Sequence, residues 1–172
     1  GPPTFTAYQG LVARFHGTEG YMARGANLMS DRYALTAIEN LAKYLPRAVK
    51  DGKDMEARTH VAFGNTLSGV VMCLTLITSK HALEHALSAY HPALPHGAGL
   101  ILIRLASYPS FLEHPACHAR FLRIAPALGL PAPSKPAHCP PALHPPPHAI
   151  AAPALHLPRS AAPPHPPAPL PP

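Results

Sequence analysis

The sequence predicts an all-α fold, a helical bundle domain followed by a Pro-rich tail. Apolar residues recur at helical spacing in successive segments of the first 130 positions. No segment shows the strict polar–apolar alternation that is typical of a half-buried strand. Capping residues, glycines and prolines separate the periodic segments. We therefore predict a helical domain over residues 1–130 and a Pro/Ala/His-rich tail over residues 131–172.

The predicted tail differs sharply in composition from the rest of the chain. Of the 25 prolines in the sequence, 17 lie within residues 131–172, and no acidic residue follows Glu113. Such a segment cannot bury enough apolar surface to offset the entropy lost on ordering. We expect it to be disordered, although a Pro-rich segment can also dock into SH3-like grooves, and that role stays open.

The first helix is predicted from a capping box. Thr6 is the expected N-cap and Gln9 the residue that reaches back to it. The helix should end near His16 and Gly17, because glycine commonly follows a helix C-terminus.

A second helix should begin with Ser30 or Asp31 as its N-cap. Pro46 is expected to kink this helix or to start a new turn, and Asp51 and Gly52 should end it. Its expected apolar face follows helical spacing and consists of Leu35, Ile38, Leu41, Ala42 and Leu45.

The third predicted helix begins at Asp54 and ends near Ser79. Its stretch from Val61 to Ser79 contains no charged residue and is long enough to span a bilayer. The stretch also contains glycine, serine, threonine and asparagine, so it is only moderately apolar. We predict a central helix buried on all sides in a globular domain, and no membrane association.

Three further helices are predicted. The first carries His81 and His85 and breaks around residues 91–95, where two prolines lie. An apolar helix should follow over residues 97–107. The last should cover residues 118–128.

Charge and cysteine content exclude several classes of function. The formal net charge is +6, but lysine and arginine are scattered, with no dense basic run and no pattern of stacking aromatics. We therefore expect no nucleic-acid partner. The three cysteines, Cys73, Cys117 and Cys139, form neither a disulfide framework nor a CxxC metal motif. Reduced thiols, together with the absence of a visible signal peptide, predict a cytoplasmic protein.

Three histidines have a spacing that suits a metal ion. His81 and His85 are four residues apart and share one face of a helix, and His96 follows a short Pro-containing break. Imidazole is well suited to Zn(II) and Fe(II). From spacing alone two other interpretations stay open, since a histidine pair can form a solvated helix face and a His-Gly pair is a common helix end.

A resemblance extends this argument over about residues 1–110. It is carried by segments 5–21, 27–31, 34–41, 43–52 and 81–97. These segments resemble the metal-binding region of the iron-containing (group III) alcohol dehydrogenases. The resemblance implies a dehydroquinate-synthase-like C-terminal helical domain. In that family the helical domain supplies one Asp and three His ligands to a single Fe(II) or Zn(II).

The resemblance also implies roles for individual residues. His16, His81 and His96 correspond to the three histidine ligands. His85 corresponds to a histidine that lies beside both nicotinamide and substrate, so it is the candidate catalytic and cofactor-contacting residue. Val12 stands where the family has its Asp, four residues before the first histidine. Because an isopropyl group cannot ligate, we expect weaker metal binding that is shifted toward zinc.

The expected function is that of the metal-binding helical half of an NAD(P)-dependent alcohol dehydrogenase, with a small alcohol or aldehyde as substrate. The metal would polarise the substrate oxygen for hydride transfer. In the family, NAD(P) binds to a preceding α/β domain, and this sequence contains no comparable Gly-rich turn. We expect the isolated chain to turn over poorly, and its apolar surface predicts a possible homo-oligomer. The alternative is a non-catalytic remnant or pseudoenzyme fragment that lacks the cofactor domain and the Asp ligand.

Overall fold

A computed structural model describes residues 1–112 and 114–131, and within those ranges the chain forms six α-helices and no strand. This confirms the predicted all-α fold. The predicted tail from residue 132 onward, with Cys139, lies outside the described residues. The helices are α1 (Pro3–Met22), α2 (Leu28–Lys50), α3 (Met55–Thr75), α4 (Ser79–Tyr90), α5 (His96–Leu112) and α6 (Pro115–Ala127).

Helix α1 begins earlier than the sequence indicates. Pro2 is its N-cap and Pro3 its first residue, so the prediction of Thr6 as N-cap is wrong. Proline is favoured at the first helical position because its fixed φ matches the helix and its missing N–H is not needed there. Thr6 lies in the first turns, where its hydroxyl donates to the carbonyl of Pro2 at 3.3 Å.

The predicted end of α1 at His16 and Gly17 is also wrong, because the helix continues to Met22. The glycines in this stretch serve close packing. A Cβ atom added to Gly20 would lie 2.8 Å from Oγ1 of Thr75 on α3 and would also collide with Val71. The extra turn carries Glu19 into the interior of the fold, where it is 1% exposed.

Helix α2 is capped by Asn27, not by Ser30 or Asp31 as predicted. The side-chain oxygen of Asn27 accepts from the backbone N–H groups of Met29 and Ser30, each at 3.1 Å. Ser30 completes a capping box, because its hydroxyl oxygen accepts from the N–H of Asn27 at 2.9 Å. The predicted N-cap is therefore the third residue of the helix.

The rest of α2 follows the sequence pattern closely. Ile38, Leu41 and Leu45 of the predicted apolar face are buried. The helix passes through Pro46 without starting a new one and ends at Lys50, with Asp51 as C-cap as predicted.

Helix α3 begins where predicted but is buried on one face only. Asp54 is its N-cap and accepts from the N–H of Ala57 at 3.0 Å. The helix ends at Thr75, four residues before the predicted Ser79. The prediction of burial on all sides is wrong, since Phe63 and Leu74 on the outer face are 48% and 42% exposed.

None of the described helices is by itself long and apolar enough to cross a membrane. Helices α3 and α4 meet that test of length and composition only as a pair that bends by 102° at the break between them.

The last three helices occur in the predicted order with shifted bounds. The break around residues 91–95 is present, α5 continues five residues past the predicted end at 107, and α6 begins three residues before the predicted 118. The main core lies where α1, α2, α3, α5 and α6 meet. It contains Leu11, Phe15, Tyr21, Met22, Ala34, Ile38, Leu45, Val71, Leu100, Phe121 and Ile124.

Candidate metal centre

The fold brings the four histidines singled out in the sequence into one cluster. His16 projects from α1, His81 and His85 lie one turn apart on α4, and His96 is the first residue of α5. Ring centroids are 4.3 Å apart for His16 and His81, and 5.5 Å apart both for His81 and His96 and for His85 and His96. Residues that are as far apart as 16 and 96 in sequence therefore face one another at the junction of three helices.

His81 shows most clearly that the cluster suits a metal ion. It is 1% exposed, and its Nδ1 lies 2.7 Å from Oε1 of Glu19. Because a carboxylate accepts at Nδ1, the neutral form of this ring has its proton on Nδ1 and its lone pair on Nε2. Nε2 is buried and, among the described residues, has no hydrogen-bond partner. A buried polar atom without a partner is costly, and a metal ion in the cluster would satisfy it.

Glu19 is a buried carboxylate that the sequence analysis did not identify. It accepts from the N–H of Thr78 at 3.1 Å and from its hydroxyl at 2.8 Å, in addition to His81. Burial by itself raises the pKa of Glu19, but the hydrogen bond from His81 and the charge of Lys80 outweigh it and hold the pKa below its ordinary value. Glu19 is therefore ionised at neutral pH.

Lys80 approaches the same oxygen of Glu19 that accepts from His81. Its Nζ lies 3.4 Å from Oε1 of Glu19 and 3.3 Å from the ring centroid of Phe15. Burial lowers the pKa of Lys80 to about 7, and the carboxylate opposes this shift. Lys80 and Glu19 thus form a buried pair beside His81.

A second carboxylate, Glu84, stands behind His96. Glu84 is fully buried, and it accepts from the hydroxyl of Ser88 at 2.6 Å and from Nδ1 of His96. Gly99 makes room for it, since a Cβ atom there would lie 2.5 Å from Oε1 of Glu84. With Nδ1 engaged by the carboxylate, Nε2 is the nitrogen of His96 left for a metal.

Distance alone also groups Glu84 with His85 and His96, whose ligand atoms lie within 4.8 Å of one another. This set differs from the predicted ligands His16, His81 and His96. Glu84 already accepts two hydrogen bonds, one of them from His96, so we interpret it as a partner of His96. His85 is exposed at the mouth of the cluster.

His16 is kept neutral by its surroundings. Burial, followed by the charge of neighbouring His81, lowers the pKa of His16 to about 4, and its ring stacks on that of His81 at an angle of 11°. A neutral imidazole has the free lone pair that a metal ligand needs. Val12, one turn earlier on the same helix, is half-buried against the core and offers no donor atom.

The low pKa of His16 predicts how the stability of the metal-free chain depends on pH. Between pH 6.5 and about 4 the unfolded chain binds a proton at this histidine and the folded chain does not. The free energy of unfolding should therefore fall as the pH is lowered through this window. Urea unfolding at a series of pH values checks this, and the fall should be smaller in His16→Gln. An equal fall in both proteins would contradict the assignment.

Comparison with known proteins identifies the family of the chain. A sequence model described as the Fe-containing alcohol dehydrogenase family, C-terminal, matches residues 6–142. Alcohol dehydrogenase 4 of Schizosaccharomyces pombe is 35% identical over 130 residues, which cover 74% of this chain and 30% of that protein. The NAD-dependent methanol dehydrogenase of Bacillus methanolicus is 32% identical over 96 residues, which cover 56% of this chain and 25% of that protein.

A solved structure shows the same fold. The crystal structure of an archaeal halo-thermophilic alcohol dehydrogenase from a Red Sea brine pool superimposes with a TM-score of 0.76 and 32% sequence identity, covering 81% of this chain and 36% of that one. The chain thus spans between a quarter and about a third of the length of these relatives. The resemblance predicted over about residues 1–110 is confirmed, and the family match extends to residue 142. The chain belongs to the Fe-containing alcohol dehydrogenase family, of which it represents the helical C-terminal domain.

Proposed function

We propose that this chain is the metal-holding helical part of an NAD(P)-dependent alcohol dehydrogenase, in which His16, His81 and His96 hold Zn(II) or Fe(II). The observation that carries the proposal is the buried Nε2 of His81, which has no hydrogen-bond partner among the described residues. Three histidines with an open fourth position form a workable catalytic set for zinc.

When bound, the metal supplies the Lewis acidity that polarises an alcohol or aldehyde oxygen. The chain's own contribution is to hold the substrate oxygen at the mouth of the cluster, where His85 is exposed beside His96. A ring nitrogen of His85 can donate to the substrate oxygen or accept its proton. We assign His85 the catalytic role on these grounds.

The names of two relatives support a proposal for the cofactor and the substrate class. One relative is an NAD-dependent methanol dehydrogenase and another is a 1,3-propanediol dehydrogenase of Klebsiella pneumoniae. We propose NAD(P) and small primary alcohols or aldehydes for this protein. His85 would be the point at which this part of the protein meets nicotinamide.

The alternative function is a non-catalytic remnant of such an enzyme, and Val12 is the observation that favours it. Without a carboxylate at position 12, the proposed ligand set contains no anion to balance the charge of a dication. The two functions share one fold and differ in whether the chain binds a metal.

Zinc binding by the wild-type chain and by Val12→Asp separates the two functions. We expect one-to-one binding by the wild type, and affinity higher by about tenfold or more in Val12→Asp, since an anionic ligand is worth at least about 1.4 kcal/mol in such a site. Val12→Asn is the matched control, because asparagine has the shape of aspartate without its negative charge. Competition with a chromophoric zinc chelator measures all three affinities.

The outcomes of this titration are distinct. Binding by the wild type supports the metal-holding function. Binding by Val12→Asp alone would show that the fold persists around a site that has decayed. If none of the three proteins binds zinc, the chain is the non-catalytic remnant.

A further inference from the structure

The proposed ligand set is electrically unusual, because it places three neutral imidazoles around a dication. Val12 supplies no charge, and His16 is a neutral base. Two fully buried carboxylates nevertheless lie just behind the cluster, Glu19 against His81 and Glu84 against His96. Neither carboxylate has a role in the function proposed above.

We propose that Glu19 and Glu84 are positioning residues that fix the rings of His81 and His96 and supply, through those rings, the negative charge that Val12 does not provide. This inference rests on the proposed metal-holding function. A carboxylate that accepts from one ring nitrogen sets the tautomer and orientation of the imidazole and makes the opposite nitrogen a stronger ligand.

Glu19 is held too firmly to act as a mobile ligand itself. Its Oε2 accepts twice from Thr78 in the segment between α3 and α4, while its Oε1 accepts from His81 and pairs with Lys80. These contacts join positions that are 59 to 62 residues apart in sequence. The carboxylate is therefore fixed in direction, and His81 presents Nε2 to the cluster.

Glu84 holds His96 by an equivalent arrangement on the next helix pair. Ser88, one turn along α4, donates to Oε1, and this leaves Oε2 directed at Nδ1 of His96. The close approach of α5 depends on Gly99, because a side chain at that position would displace the carboxylate. The side chain of His96 is 38% exposed, so its own packing alone does not fix the ring.

The two carboxylates lower the net positive charge of the site. They place two negative charges behind the rings against the two positive charges of a bound Zn(II), and burial makes their attraction stronger than it would be in water. Lys80 offsets part of the charge of Glu19, whereas Glu84 interacts with Ser88 and His96.

The experiment compares zinc and cobalt binding by the complete chain and by Glu19→Gln and Glu84→Gln. Each substitution keeps the shape of the side chain and removes its charge. We expect each to weaken zinc affinity by about 10- to 100-fold and to shift the visible absorption of bound Co(II). Glu39→Gln, on the exposed side of α2, is the matched control and should leave both readouts unchanged.

Folding is monitored in every variant by circular dichroism and thermal unfolding. Glu19→Gln removes the negative charge beside Lys80 and could prevent folding for that reason alone. In that case the double variant Glu19→Gln/Lys80→Met is used instead, and the same loss of zinc affinity and shift of Co(II) absorption are expected. Wild-type affinity in folded Glu19→Gln and Glu84→Gln would overturn the positioning role while leaving the metal site intact. Failure of the wild-type chain to bind zinc would instead reject the proposed function on which this inference rests.

Discussion

Replacement of His81 by alanine is expected to weaken zinc binding by more than about 100-fold, which exceeds the usual effect of removing a partner behind a metal ligand. The substitution removes the buried Nε2 atom and leaves Glu19 without its imidazole donor. The competition titration described for Val12→Asp measures the loss directly. Activity of a chimaera that joins the chain to the cofactor-binding part of a relative should disappear as well.

His91→Ala is the control for this prediction. His91 is exposed and is the C-cap residue of α4, the helix that carries His81. Its removal should leave zinc affinity within error of the wild type. Equal zinc affinities of His81→Ala and the wild-type chain would contradict the assignment of His81 as a ligand.

Replacement of Phe15 by alanine is expected to lower the free energy of unfolding by about 3–5 kcal/mol, the usual cost of removing a large buried aromatic ring. Phe15 is 0% exposed, lies in the main core, and its ring faces the ammonium of Lys80 at 3.3 Å. The substitution creates a cavity and also removes the cation–π contact of a buried charge. Urea unfolding followed by circular dichroism gives the value.

Phe63→Ala provides the comparison. Phe63 has the same side chain but is 48% exposed on the outer face of α3. Its replacement should change the free energy of unfolding by less than about 0.5 kcal/mol. A loss of under about 1 kcal/mol in Phe15→Ala would show that the core closes around the gap, contrary to the close packing described here.

The sequence predicted the fold class, the order of the helices and the capping role of Asp54, because these depend on local patterns. It placed the end of α1 wrongly at His16 and Gly17. Local propensity treats glycine as a stop, whereas packing against α3 uses Gly20 as a contact point. The outer face of α3 was also predicted wrongly, since an uncharged stretch does not reveal which neighbours will cover it.

In the candidate site, too, local patterns could be predicted and tertiary contacts could not. Spacing and resemblance indicated the four histidines, and the structure brings them together. Glu19 and Glu84 were missed, although each follows a histidine by three positions, on the same side of its helix. Pairing Glu19 with His81 across 62 residues requires the tertiary fold, and no sequence pattern contains that information.

The sequence separation within the histidine cluster would link metal supply to the lifetime of the protein if the chain binds a metal as proposed. A metal ion bound by His16 and His96 would close a loop of about 80 residues and so would act as a reversible cross-link between the first and fifth helices. At 100 times its dissociation constant, a ligand that binds only the folded state adds about 2.7 kcal/mol to stability. Proteases that cleave opened chains would then degrade the metal-free protein first, so its abundance would follow the availability of the metal.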